Sequence, residues 1–188
     1  TSRDWSSDVC SSDLKKLAYA ALFLALCLVL PMLTGQIPQI GSMLLPMHIP
    51  VLLCGLVCGW QYGAAVGFVA PLLRSALFGM PPVYPVAIAM AFELLTYGLV
   101  IGLVHRRMAQ KDAAGVYAAL LTAMVAGRLV WGVAEVVLLG LGGKAFTAQA
   151  FLAGALLNAV PGIIVQLVLI PAVMAALQKA GAVKEYAE

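Results

Sequence analysis

Four ionisable side chains interrupt long apolar stretches of this chain: Arg74, Glu93, Arg128 and Glu135. His48 and the non-ionisable Asn158 and Gln166 do the same elsewhere. A charge inside hydrocarbon is expensive, so such residues mark ligand paths or buried pairs. Arg128, Trp131 and Glu135 stand at i, i+3 and i+7, which puts them on one helical stripe. A guanidinium, an indole and a carboxylate on one stripe have the chemistry of a small-molecule site. Guanidinium pairs well with carboxylate or phosphate. The competing reading is internal pairing: Arg74 with Glu93 on an antiparallel neighbour, and Arg128 with Glu135 or Glu93. His48 by itself reads first as a hydrogen-bonded core histidine. Cys54 and Cys58 are four residues apart on one helix, with no acid beside them, so no metal is expected.

The elements that must position these residues follow from composition. Of 188 residues, 63% are hydrophobic and 10% charged, and mean hydropathy is +1.02. A soluble domain is nearer a quarter charged, and one of this length has too little interior for so much apolar surface. The expected fold is an all-α integral membrane bundle of six transmembrane helices.

Residues 1–14 depart from that pattern. They hold four charged residues and five serines, with no apolar run between a basic start and a cleavage site. The stretch DWSSDVCSSD at 4–13 is similar to what one reading frame of a common sequencing-library adapter encodes. It is read as a non-native scar, and the native start is expected to be missing. Removing its one Arg and three Asp raises the formal net charge from +3 to +5.

The remaining chain divides into a membrane domain at 15–180 and a cytoplasmic tail at 181–188. Spans are expected at 17–33, 43–60, 64–78, 86–104 and 113–141, with the sixth inside 146–178, after a short interfacial helix. Turns fall at Gln61–Gly63 and Gly142–Lys144, and a rigid Pro-rich loop at 79–85. Pro161 and Pro171 are expected to kink the sixth span. Lys15, Lys16, Arg106, Arg107, Lys111, Lys179 and Lys184 then share one side, and Lys144 alone takes the other. That asymmetry makes both N and C termini cytoplasmic. The outer loops are 34–42, 79–85 and 142–145. Most of the intramembrane polar groups fall between the midplane and the outside, as in a pocket loaded from outside.

Ala21 and Ala25, four apart on span one after two lysines, offer a small-residue face for another helix. Together with the six spans, the Gly/Pro-bearing first outer loop and the polar groups of spans four to six, this resembles the S component of an energy-coupling factor (ECF) vitamin transporter. The run Leu45 to Pro50, then Gly55, Gly59, Trp60, Gly63, Gly67, Pro71 and Arg74, is similar to the riboflavin and pantothenate branch. The resemblance implies a substrate-binding protein of the plasma membrane that captures one vitamin from outside. It implies a lid at 34–47, a transmembrane coupling subunit docked on Ala21 and Ala25, and two cytoplasmic ATPases. Pocket positions implied are Glu93, Arg128, Trp131, Glu135 and Asn158. Arg74 and His48 are added from depth.

No Gly-x-x-x-x-Gly-Lys-Ser/Thr loop appears, and no inverted repeat, so no engine of the chain's own is visible. No cofactor or nucleic acid is expected. After residue 14 the only serines are Ser42 and Ser75, and neither has a serine-protease context, so no enzyme is expected. Two arginines favour an anionic ligand, with pantothenate the best fit. A flavin would want more aromatic surface than Trp131, Tyr84, Tyr97 and Phe92 supply. A thiamine-like cation would use Glu93 and Glu135. The alternative function is a secondary transporter or channel that works without ATPases.

Overall fold

The computed structural model describes residues 2–33, 46–108, 113–143 and 159–180. Among the described residues there are six α-helices and no strand: α1 (Ser2–Leu33), α2 (His48–Val57), α3 (Trp60–Phe78), α4 (Ile88–Arg107), α5 (Ala113–Leu141) and α6 (Val160–Lys179). A short π-helical turn, Val83–Ala87, leads into α4. Four segments among the described residues are long and apolar enough to cross a bilayer: Asp13–Met32, Val83–Arg107, Ala113–Leu141 and Val160–Lys179.

The span expected at 43–60 is corrected. Its described part is a helix of ten residues. At 1.5 Å per residue that is about 15 Å, half of the ~30 Å hydrocarbon core. The helix ends at Cys58, and Gly59 follows with φ +96°, a conformation that L side chains avoid. The turn therefore lies at Cys58–Gly59, ahead of the expected Gln61–Gly63, and Trp60–Gly63 open α3. Pro50 sits in the first turn of α2, where the missing N–H breaks no rung. Pro161 likewise opens α6 as a first-turn residue; it does not kink it, whereas Pro171 is internal. Helix α3 has 19 residues, but Gln61, Arg74 and Ser75 dilute its apolar character. Helix α1 extends back to Ser2, well before the expected start at 17. The expected interfacial helix and Lys144 fall outside the described residues.

Helix α4 is the centre of the bundle and packs on α2, α3 and α5, while α1 lies across α2 and α3. Glycines set the spacing. A Cβ at Gly63 would stand 2.6 Å from Gly55 Cα, and one at Gly98 would stand 2.1 Å from Gly63 O. The backbones of α2, α3 and α4 thus touch, as small residues allow in membrane interfaces. Helix α2 is buried almost all round, which suits a helix apolar on every face.

The two ends of the bundle can be told apart. Lys16 of α1 acts electrostatically on Cys58, and Gly102 of α4 packs on the Trp60 backbone. Lys16, the α2–α3 turn, Arg106 and Arg107 therefore share one end. At the other end Ser75 Oγ donates to Pro81 O at 2.6 Å, and Tyr84 OH donates to Leu138 O.

Candidate functional site

Three polar side chains converge on one buried carboxylate, that of Glu93. Glu93 and Tyr97 are one turn apart on α4, so their side chains share a face. Tyr97 OH donates to Glu93 Oε1 at 3.0 Å. Arg128 Nη1 of α5 lies 3.0 Å from the same oxygen. His48 Nε2, at the start of α2, is 3.5 Å from it. The His48 ring meets the Tyr97 ring edge-on, with centroids 5.2 Å apart. Three helices thus present a guanidinium, a phenol and an imidazole to one Glu93 oxygen.

Local sequence explains how α5 gets there. A Cβ at Gly127 would stand 2.4 Å from Tyr97 Cε1. Glycine at 127 lets α5 close over the tyrosine ring, and Arg128, next in sequence, then reaches Glu93. Neither Tyr97 as a hydrogen-bond donor nor Gly127 as a spacer was foreseen from sequence. The i, i+4 spacing of Glu93 and Tyr97 was the available signal.

Electrostatics are uneven. Glu93 is 2% exposed and Arg128 14%. Glu135, also buried, is close enough for its charge to work against that of Glu93. One guanidinium, Arg128, and two carboxylates, Glu93 and Glu135, are thus buried or nearly so. His48 is 1% exposed, and neither ring nitrogen makes a hydrogen bond of good geometry. Gln166 of α6 is buried with its Nε2 also unpartnered.

Other expected site residues fall elsewhere. Arg74 does not pair with Glu93. Its Nη1 donates to Leu28 O of α1 at 2.9 Å, and the guanidinium lies 5.6 Å from the Phe78 ring centroid. Trp131 is half-buried on the stripe of Arg128 and Glu135. Asn158 and most of the expected lid lie outside the described residues. Ala21 and Ala25 are exposed on α1, beside exposed Leu22 and Val29.

A separate groove of about 410 Å³ runs along the outer side of α4 and α5, lined by Phe92, Leu129, Val133, Val137 and neighbours. It offers no polar group to orient a ligand, so the Glu93 cluster has the better claim to be a site.

Comparison with curated proteins and with solved structures returned no match. The sequence profile described as "ECF transporter, substrate-specific component" matches residues 15–175. That range contains all six helices apart from the start of α1 and the end of α6. Bilayer-length helices around a buried polar cluster, among the described residues, are compatible with such a component. The chain belongs to the family of substrate-specific components of ECF transporters.

Proposed function

We propose that this protein captures pantothenate, or a closely related carboxylate vitamin, at the Glu93–Arg128–His48–Tyr97 cluster. It hands the ligand to a transmembrane coupling subunit driven by two ATPases. The observation that carries this is the placement of Arg128: a half-buried guanidinium held at bilayer depth by a single carboxylate. A ligand carboxylate can compete for it, because the guanidinium fork has five donors and Glu93 uses one in the described contacts. Trp131 and Glu135, on the same stripe, would meet the rest of the ligand. Asn158 and residues 34–47 remain part of the proposed pocket and lid.

The proposed orientation puts Lys15, Lys16, Arg106 and Arg107 in the cytoplasm of a plasma-membrane protein. Supporting this, they gather at the end of the bundle opposite Tyr84 and Pro81, and basic residues favour the inner side. The exposed Ala21 and Ala25 are the proposed contact for the coupling subunit. Residues 1–14 are proposed as non-native, supported by their composition and by a family match that begins at residue 15.

The test is uptake of labelled pantothenate by cells expressing the chain with and without the coupling subunit and ATPases. Uptake only with all three supports the reading. Equal uptake by the chain alone supports a stand-alone transporter instead.

A further inference from the structure

We propose that this site takes up one proton with each anionic ligand, and that the proton is held by the His48–Glu93 pair. The inference deepens the proposed binding function and rests on its assignment of Arg128 to the ligand.

The argument begins with charge. The described cluster holds one guanidinium, Arg128, and two carboxylates, Glu93 and Glu135, all buried or nearly so. An incoming carboxylate adds a third negative charge. Uncompensated charge in such surroundings costs several kcal/mol. Glu93 suffers most, because its Oε1 loses some or all of the Arg128 contact it now has at 3.0 Å.

One group stands ready to replace that contact. His48 Nε2 is 3.5 Å from the same oxygen, 1% exposed, and without a well-formed hydrogen bond on either nitrogen. Protonation turns an imidazole from one donor and one acceptor into a double donor. Other titratable groups on the packed elements serve less well. Tyr97 of α4 already donates its proton to Glu93. Arg74 of α3 is held by Leu28 O. Cys27 of α1 points its thiol at Met47 O, 3.6 Å away. On α2 itself, Cys54 and Cys58 lie two and three turns away from His48. Lys16 lies at the Cys58 end. Helix α6 has no titratable side chain before Lys179 in its last turn.

The balance is simple. A buffer acid gives one proton to the His48–Glu93 pair, the ligand carboxylate takes Arg128, and the net charge of the cluster is unchanged. Wherever one proton is taken up per ligand, each further pH unit should weaken binding about tenfold.

The experiment is calorimetric titration of the purified, detergent-solubilised chain with pantothenate near pH 7, in phosphate and in Tris. These buffers differ widely in ionisation enthalpy, so the difference in measured heat counts protons. The expected result is uptake of about one proton per pantothenate; in His48→Gln the affinity falls and the protons taken up per bound pantothenate fall towards zero, whereas an undiminished proton uptake in that variant would overturn the part given to His48. Binding by the wild type with equal heats in both buffers would overturn the proton linkage and leave the anion site standing. Failure of the folded protein to bind pantothenate, or binding of thiamine with proton release, would overturn the anion reading and this inference with it.

Discussion

Arg128 and Glu93 form a buried pair whose members cannot be removed singly without cost. Arg128→Ala leaves the Glu93 carboxylate 2% exposed with only Tyr97 and His48 beside it. Breaking such a pair costs about 3–5 kcal/mol. We expect Arg128→Ala to insert in the membrane, melt at lower temperature in detergent and lose at least about tenfold in vitamin affinity, an energy of ~1.4 kcal/mol. Unchanged affinity by calorimetry would remove Arg128 from the site. Arg74→Ala should lower the melting temperature by loosening α1 from α3, yet leave affinity within about threefold, less than 1 kcal/mol. The two arginines look alike in sequence, each a lone cation in an apolar run. Sequence cannot tell them apart because their partners lie on other helices: Leu28 O for one and Glu93 for the other. The set of buried charges was legible, and Arg128 with Glu93 was one of the pairings the sequence left open; that Arg74 turns to a backbone carbonyl of α1 was not legible.

At the scale of elements, glycine decides how close the helices come. A Cβ at Gly67 would stand 2.2 Å from Leu94 O, a backbone atom that cannot swing aside. Gly67→Ala should therefore destabilise the α3–α4 contact by about 1–3 kcal/mol, read as a lower melting temperature in detergent. Gly140→Ala meets nothing within 4 Å and is the matched control. The end of α3 at Phe78 and both ends of α5 were legible, because Gly79, Asp112 and Gly142 bound clear apolar runs. The break between α2 and α3 was placed late. Gly55, Gly59, Gly63 and Gly67 look equivalent in sequence, but only Gly59 takes a positive φ, and the others are packing contacts. On α1, Ala21 and Ala25 face outward while Ala20, Phe23 and Cys27 face the core. Ala21→Trp or Ala25→Trp should spare ligand binding and block ATP-driven uptake. Normal uptake in both variants would show that the coupling subunit docks elsewhere.

At the scale of the whole molecule the described residues form an uneven bundle: α4 and three other bilayer-length helices, one half-length helix and one diluted helix. Hydropathy alone made the membrane class and the all-helical fold readable, since every backbone group in hydrocarbon needs an internal partner. It could not show that α2 begins only at His48, because the apolar run of the sequence already starts at Met43. Residues 1–14 lie outside the family match. Their deletion should change neither affinity nor uptake, as measured on the shortened chain, and a clear loss in either would make them part of the working protein. The central claim is that this chain alone binds a vitamin at the Glu93–Arg128 cluster. Native mass spectrometry of the purified protein, with thermal-shift screening of the B vitamins, tests it most directly. The account predicts one vitamin, pantothenate, bound one to a chain, raising the melting temperature by mass action, with the shift lost in Arg128→Ala. A folded protein that binds none of the vitamins would contradict it.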